Sequence, residues 1–511
     1  MMEVASTPAA PPKPHRQIGL ALVAIVLFGA FLRVRTMDLP FWFDEAFCWR
    51  ISQSGWRELV ARVGDDNHSP LYFALLKLWT AALGTSLYAM RSSSLLFSLA
   101  GVVAAFFLAR RLCENGPRAD AAGLLAALFF AVHPYHVYVG AELRMYGFAM
   151  LLVLLSTLAL VFALQALEPL PAIDAPSRLT WRWILYGLGS AAAIYAHYFA
   201  LFLVGAQALL VGFIFLRGHS AKDPIVSTAR SGWIGFATCG LAFLPWLPHF
   251  LVQRARTNQS WWSPKLDGER ALRMLVRGLL PLPHTKALWI YGALALLILA
   301  CCAAIVIAGP RWAKWITSCV LIAVATATAV SFAGTNLLQS MYLYLPMMLL
   351  LVAGAATIAE SRNRIALGAG IALTLALLFY WSTQSLALPG SGQDADLTAV
   401  LAYVDEVRRP DEPVVADSYD YFAIRYYLRD LSGWQVYGHD GRVDSFNGGA
   451  LVAEDDRVVS QTELAALHGH GIWVIENGAG FGTRRVEVPT QWRPGKPRFF
   501  GPVRVLRYES N

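Results

Sequence analysis

Long uninterrupted runs of apolar residues constrain the fold of this chain more than any other feature. A helix that crosses a lipid bilayer needs roughly 20 apolar residues, and many stretches of the sequence reach that length. The clearest are 18–37, 92–109, 121–139, 143–166, 231–252, 287–308, 316–333, 341–359 and 365–385. With 56% hydrophobic and 15% charged residues, the chain is typical of a polytopic α-helical membrane protein.

Two further apolar stretches need separate interpretations. Residues 183–216 are too long for one span and have a basic residue at each end, Arg182 and Arg217, which favours a hairpin of two helices that turns near His197. Residues 69–84 are short for a span and carry Lys77 in the middle, which indicates a helix lying along the membrane interface. The pattern therefore predicts about eleven spans plus an interfacial helix.

The basic residues of the connections predict the orientation of the chain. On this topology the connections with Arg110, Lys222, Arg311 and Arg362 share one side, which the positive-inside rule makes cytoplasmic. The tail 1–17 is then cytoplasmic, 18–385 is the transmembrane domain, and 386–511 lies outside. Because the basic residues are scattered among short loops, the net charge of +8 indicates no nucleic-acid partner.

The last part of the chain has a different composition. From about residue 389 it becomes polar, and runs such as 413–417, 425–428 and 472–475 predict the short strands and helices of a small extracytoplasmic α/β domain. Of the six cysteines, only Cys48 falls outside the spans and cytoplasmic loops, so a disulfide framework is not expected.

Three groups of polar residues fall in connections on the outer side: Asp44-Glu45, 65–72 with His68, and Glu142-Leu143-Arg144-Met145-Tyr146. Each has a purely structural interpretation. An acidic pair is typical of a helix N-terminus, His68 precedes a proline in a turn, and the third group fits a solvated helix start. A shared ligand site is the alternative, and the residues alone leave both open.

The third group adds a geometric condition. On a regular helix Glu142 and Tyr146 share a face, while Arg144 points away. All three side chains can therefore face one ligand only if the helix begins within or after this segment.

The order of these groups resembles a known family. An Asp-Glu pair in the first outer loop, a His-x-Pro-Leu-Tyr segment at 68–72 and a Glu-x-Arg-x-Tyr segment at 142–146 are similar to the GT-C superfamily of membrane glycosyltransferases. The resemblance covers 18 to about 385 and is closest to the bacterial branch related to protein O-mannosyltransferases and lipid A aminoarabinose transferases. It implies a multi-pass enzyme of the bacterial inner membrane. Such an enzyme transfers a sugar, on the periplasmic face, from a polyprenyl-phosphate donor to a lipid, glycan or protein acceptor. The configuration at the anomeric carbon is inverted in the transfer.

The resemblance also implies roles for individual residues. Asp44 matches the base that takes the acceptor's proton, and Glu45 would orient the acceptor or hold a cation. Arg144 suits the leaving lipid phosphate, with Tyr146 as a donor and Glu142 as its orienting partner or a sugar contact. Further substrate-binding candidates are His68, Tyr72 and His197. A divalent cation could serve as a cofactor, held by Asp44, Glu45, His68 or Glu142, but no fixed metal-ligand spacing supports one.

One departure from the family bears on the donor phosphate. Many relatives carry an Arg-Tyr pair at the outer start of a late span, where this chain has Met341-Tyr342. The basic loop 253–286, with Arg270 and Arg273, offers a substitute site for an anionic partner; an interfacial amphipathic segment is the alternative. A transporter or flippase of lipid-linked sugars is the rival to the enzyme as a whole, because polytopic architecture alone does not distinguish them.

Overall fold

The computed structural model describes residues 14–39, 41–113, 116–165, 175–217, 231–259, 263–282, 286–387, 397–428, 430–438, 441–443, 449–452, 456–466, 471–477 and 486–509. It is a multi-pass bundle of helices followed by a small α/β domain. Among the described residues, eight helices are long and apolar enough to cross a membrane. Three more lie where the sequence predicts spans, so the total of about eleven stays a prediction.

The helices of the first half are numbered here in chain order. They are α1 (Pro14–Val34), α2 (Phe43–Gln53), α3 (Trp56–Asp65), α4 (Leu71–Leu83), α5 (Leu87–Leu112), α6 (Pro117–Val132), α7 (Pro134–Val139), α8 (Tyr146–Leu164), α9 (Ala175–Ala196) and α10 (Ala200–Arg217). The hairpin predicted for 183–216 is confirmed, since α9 and α10 meet at a turn that contains His197.

The second half of the bundle has α11 (Gly232–Phe243), α12 (Leu247–Gln259), α13 (Gly268–Leu279), α14 (Leu288–Ala308), α15 (Arg311–Ala333), α16 (Ser340–Glu360) and α17 (Arg364–Ala387). A 3-10 turn, Leu244–Trp246, joins α11 to α12. Helices α5, α8 and α16 are the most buried spans, whereas α1, α14 and α17 expose most of their side chains, as contact with lipid requires.

The predicted span 121–139 is wrong in one respect. Its helix stops at Val132, and α7 begins at Pro134, because the proline ring disfavours a helical residue before it and removes a backbone donor. The buried Arg33 side chain donates to the carbonyls of Phe130 and Ala131 at 3.1 and 3.0 Å. The break therefore leaves neither of these two carbonyls unpaired.

The C-terminal domain has α18 (Leu397–Val407), α19 (Ser418–Tyr427) and α20 (Gln461–Ala466) beside a seven-stranded sheet. Its strands are β1 (Val414–Ala416), β2 (Trp434–Tyr437), β3 (Val458–Val459), β4 (Ile472–Asn477), β5 (Arg493–Pro494), β6 (Arg498–Phe500) and β7 (Val503–Glu509). The order is β3-β2-β1-β4-β7-β5, with β6 paired to β7. The first four strands are parallel, and β7 is antiparallel to β4, β5 and β6. The predicted α/β architecture is confirmed.

Candidate active site

Helix α2 presents the two acidic residues in its first turn, but their side chains have different surroundings. Successive residues on a helix are rotated by about 100°, so the two side chains cannot share a face. The Asp44 side chain is 33% exposed, whereas the Glu45 side chain is fully buried. Only Asp44 is therefore accessible to a substrate.

Glu45 holds the first two outer connections together. Arg91, near the start of α5, donates to both carboxylate oxygens and also to the backbone oxygens of Met37 and Leu39, each at 2.7 Å. The Leu143 N–H donates to Glu45 Oε1 at 2.8 Å. These bonds engage both carboxylate oxygens of Glu45 and connect it to the residues on either side, so its predicted role in orienting an acceptor or holding a cation would require these bonds to share an oxygen.

Arg144 meets Asp44 because α8 begins at Tyr146 and not at residue 143. The segment before it is an irregular turn, in which the Arg144 N–H donates to the Glu142 carbonyl at 2.8 Å. The guanidinium Nη2 lies 3.4 Å from Asp44 Oδ2, and Nη1 donates to the Asp44 carbonyl at 3.2 Å. The geometric condition for a shared site in this segment is thus met.

His68 lies on the other side of the same guanidinium. Its Nε2 is 3.4 Å from Arg144 Nη2, and its Nδ1 is hydrogen bonded to the Asp66 carboxylate. The Asp66 contact favours the tautomer with the proton on Nδ1, so that Nε2 is an acceptor facing Arg144. Arg144 therefore bridges the Asp44 carboxylate and the His68 ring.

Glu142 is a buried carboxyl close to two others. Burial raises its pKa to about 8, Arg144 acts in the opposite direction, and the charges of Glu45 and Asp44 raise it further. At neutral pH its protonated form predominates, so Glu142 acts there as a neutral hydrogen-bonding group.

A cavity of about 290 Å³ is lined by His68, Met145 and Tyr146, and neither Asp44 nor Arg144 is among its lining residues. One part of its wall is polar, from Asn67, His68, Ser69, Gln253 and Arg254; another is apolar, from Phe199, Leu201, Phe202, Phe250, Val330 and Leu337. The Nη1 atom of Arg254 is buried without a hydrogen-bond partner. A buried guanidinium N–H without a partner can donate to a group bound in the cavity.

Aromatic rings form another side of the cavity. The ring of His197 lies 5.5 Å from that of Tyr146 and 4.9 Å from that of Tyr342. Burial lowers the pKa of His197 to about 3, and the charges of His68 and Arg144 lower it further, so this ring is neutral at physiological pH. The Tyr146 hydroxyl donates to Met341 Sδ at 3.0 Å.

The other predicted substrate residues lie elsewhere. Tyr72 is buried in α4 and is not among the residues that line the cavity. Arg270 and Arg273 belong to α13, also outside the lining, and Arg273 is paired with Glu269 at 2.7 Å and stacked on Tyr291. In the same basic loop, 260–262 with Trp261 and Trp262 lie outside the described residues.

Several site residues are absent from the sequence-based set of candidates. Arg254, Tyr342, Gln253 and Tyr198 line the cavity, and Arg91 fixes Glu45. Arg254 had a signal, as a cation in the loop proposed to replace the missing arginine. The only sequence signal of Arg91 was its place just before a predicted span. Its role becomes visible only through its partner Glu45, which is 46 residues away.

The candidate metal ligands do not fit a cation. The Asp44 carboxylate faces Arg144, and both Glu45 oxygens bind Arg91, so the two guanidinium groups already neutralise these carboxylates. Among the described residues no group of three or more His, Cys, Asp or Glu side chains could hold a metal ion. No step of the chemistry proposed below passes through a metal.

Comparison with known proteins shows the fold of the chain. No family model and no curated protein matches its sequence. The structure is similar to ArnT from Cupriavidus metallidurans in the apo state, with 12% identity, a TM-score of 0.58 and coverage of 97% of this chain and 98% of that one. ArnT bound to undecaprenyl phosphate matches with 11% identity, a TM-score of 0.53 and coverage of 97% and 98%.

A more distant match is the Archaeoglobus fulgidus oligosaccharyltransferase with a tethered acceptor peptide. The identity is 12% and the TM-score 0.51; the match covers 81% of this chain but only 63% of the oligosaccharyltransferase. These proteins share the fold of the GT-C glycosyltransferases, so this chain has the GT-C fold.

Proposed function

We propose that this chain, whose fold is that of the GT-C glycosyltransferases, is an inverting glycosyltransferase. It transfers a hexose or pentose from a polyprenyl-phosphate donor to a membrane lipid, glycan or protein acceptor, at the outer face of the bacterial inner membrane. The observation that carries the proposal is Arg144, which bridges the accessible carboxylate of Asp44 and the His68 wall of the cavity at 3.4 Å on each side. A base and a phosphate-binding group thereby belong to one site, where a sugar bound between them would have its acceptor and its leaving phosphate on opposite faces.

The reaction follows from the chemistry of these groups. An acceptor hydroxyl is a weak nucleophile at neutral pH, so Asp44 takes its proton as its oxygen attacks the anomeric carbon. The bond from that carbon to the phosphate oxygen breaks, and its electron pair stays on the lipid phosphate. Arg144 stabilises the charge that develops there, since guanidinium groups bind phosphate oxygens in bidentate fashion.

The cavity supports a lipid-linked donor. Its polar wall carries Arg254, whose buried Nη1 lacks a partner, and this arginine takes the place of the one that Met341 replaces. The apolar wall with Phe199, Phe202 and Phe250 suits the first isoprene units of the lipid. ArnT, which shares the fold, has been determined with undecaprenyl phosphate, consistent with such a donor.

The test uses purified protein in lipid with a radiolabelled polyprenyl-phosphate sugar and a membrane acceptor. We expect wild type to transfer the label and Asp44→Asn to lose about 10²–10⁴-fold in rate, the usual contribution of a general base. Asp65→Asn is the matched control, because that carboxylate is in the same outer connection but is 71% exposed and pairs with Arg256. It should transfer at the wild-type rate.

Two results would contradict the proposal. Retained transfer by Asp44→Asn would remove Asp44 as the base. Wild-type protein that transfers no sugar from any donor, but moves the labelled lipid between leaflets of proteoliposomes, would instead favour a flippase.

A further inference from the structure

The C-terminal domain contacts the transmembrane part at the helix that carries Asp44. Helix α19 lies against α2, and its Tyr419 ring stacks on Phe43 with centroids 4.9 Å apart and planes 16° apart. The Phe41 N–H donates to the Tyr427 hydroxyl at 3.4 Å, and the rings of Phe41 and Tyr426 are 4.3 Å apart. These contacts hold Phe41 and Phe43, at the start of α2, just before the proposed base Asp44.

A buried carboxylate joins the same two helices at the other end of α2. The Asp456 side chain is fully buried, accepts from the Tyr421 hydroxyl at 2.9 Å and forms an ion pair with Arg425, whose Nη1 lies 3.1 Å from Oδ1; both partners are in α19. Its second oxygen lies 3.5 Å from Nη2 of Arg50, in the last turn of α2. A buried carboxylate needs such partners, so the pairing constrains both helices.

The two attachments together define the position of α2. Phe43 and Arg50 are seven residues apart, which is about 10 Å along a helix at 1.5 Å per residue. Contacts at two such points restrict both the tilt of a short helix and its rotation about its axis. Asp44 lies next to the first point, so its distance to Arg144 depends on both.

We infer that the C-terminal domain is a positioning part of the active site, and that Asp456 is the positioning residue that fixes α2 and thereby orients Asp44. This inference rests on the proposed transferase function for its effect on catalysis. Asp456 acts only through Arg50 and the helix, without touching substrate. The domain therefore serves the reaction even though its sheet lies away from the reacting groups.

Asp456→Asn tests the inference, with Glu412→Gln as the matched control. Glu412 is a buried carboxylate of the same domain, bound to Trp473 at 2.8 Å and Arg507 at 2.7 Å, and these partners lie in the domain's own sheet. We expect Asp456→Asn to lower kcat about tenfold or more with donor KM within about twofold, because displacement of about 1 Å can cost up to 10²-fold. Glu412→Gln should keep kcat within about twofold of wild type.

Arg50→Gln separates positioning from folding of the domain. It leaves the contacts of Asp456 with Tyr421 and Arg425 intact. The domain therefore keeps its internal pairs and loses only the contact between Asp456 and α2. It should lower kcat as Asp456→Asn does, and the double variant should lose no more than either single one, because both remove one interaction. Asp456→Glu, which keeps the charge, should restore part of the rate.

Hydrogen exchange of the amides of 43–53 gives a readout that does not depend on transfer. Faster exchange in Asp456→Asn and Arg50→Gln but not in Glu412→Gln supports the inference. Equal exchange in all variants, or an unchanged kcat in Asp456→Asn and Arg50→Gln, overturns it. Wild-type protein without transferase activity would refute the proposed function alone, since the exchange comparison still decides whether Asp456 fixes α2.

Discussion

The adjacent carboxylates of α2 have opposite environments, and this difference decides their roles. Asp44 is partly exposed and faces one guanidinium at 3.4 Å, so its carboxylate is accessible to an acceptor. Glu45 is buried in bidentate contact with Arg91 and accepts from the Leu143 N–H. In the proposed reaction Asp44 is the base, whereas Glu45 holds the turn in which Arg144 lies.

Removing the Glu45 carboxylate should destabilise the protein strongly. In Glu45→Ala the Arg91 guanidinium is left buried without its counterion, and breaking a buried pair in this way costs about 3–5 kcal/mol. We expect a large fall in the unfolding temperature, measured by thermal denaturation in detergent. Asp44→Ala should unfold near the wild-type temperature, and an equally stable Glu45→Ala protein would contradict the positioning role.

Glu142 should make the protein sensitive to alkaline pH. Its pKa rises from 4.5 to about 8 on folding, so the stabilisation from its proton is complete below pH 4.5 and is lost as pH rises through about 8. Stability of wild type should therefore fall progressively from pH 4.5 to about 8 and level off above it, and the transfer rate should fall as pH rises through about 8. Glu142→Gln keeps a neutral side chain, and its activity at pH 7 should be within about twofold of wild type.

The comparison between these two proteins checks the assignment. Transfer rates and unfolding temperatures are measured from pH 6 to 9; up to about pH 8 the unfolding temperature of Glu142→Gln should fall less than that of wild type, and its transfer rate should fall less as pH passes 8. Parallel profiles for the two proteins would assign the loss to another group.

Arg254 should control affinity for the lipid phosphate. A hydrogen bond to a charged group contributes about 1.5–3 kcal/mol, so Arg254→Gln should raise the Kd for polyprenyl phosphate about tenfold or more. The control is Arg256→Gln, two residues along α12, because Arg256 is exposed and bonds the Asp65 carbonyl at 2.8 Å. Equal binding by wild type and Arg254→Gln, measured with labelled lipid, would place the phosphate elsewhere.

At the scale of elements, the sequence predicts helices well and their breaks poorly. The hairpin 183–216 follows from charge and length, and α9 and α10 confirm it. The break at Pro134 lies inside an apolar run, so the local pattern does not show where the helix ends. The carbonyls that it frees are bonded by Arg33, about 100 residues earlier. Helix α13 (Gly268–Leu279) is likewise obscured by the basic residues of its loop, which give no apolar run.

Lys77 shows how an element's context changes the meaning of a residue. In sequence it marks 69–84 as a helix at the interface. In the structure α4 turns Lys77 toward the C-terminal end of α2, where Nζ donates to the carbonyls of Ser54 at 2.6 Å and Ser52 at 3.4 Å. A cation at this end is also favoured by the helix dipole.

Lys77→Met should therefore loosen α2 from its far end. Loss of these bonds should cost about 1–2 kcal/mol, seen as a lower unfolding temperature and faster hydrogen exchange at 50–54. Lys77→Arg retains a donor and should exchange at nearly the wild-type rate. Unchanged exchange in the Lys77→Met protein would contradict this prediction and would mean that other contacts hold the C-terminal end of α2.

At the scale of the whole molecule, the motifs in three separate connections, together with the family resemblance, favour a shared site. In the structure Asp44 and His68 both contact Arg144. Asp44, His68 and Arg144 meet because the spans between them bring their outer ends together. The rest of the site depends on pairs that no local pattern records. Arg91 with Glu45 is 46 residues apart and Asp456 with Arg50 is 406, and only the packed bundle brings them into contact.

The membrane orientation decides which compartment holds the proposed reaction. The positive-inside rule places Arg362 in the cytoplasm. It places Lys265 outside, on the same side as Asp44 and the C-terminal domain. Both residues are exposed, so Lys265→Cys should react with a membrane-impermeant maleimide in intact spheroplasts, whereas Arg362→Cys should react only after permeabilisation. The native cysteines, buried or half-buried, should give little background. The reverse labelling pattern would put Asp44 and the cavity on the cytoplasmic side, where a donor would not have to cross the membrane before its sugar is transferred.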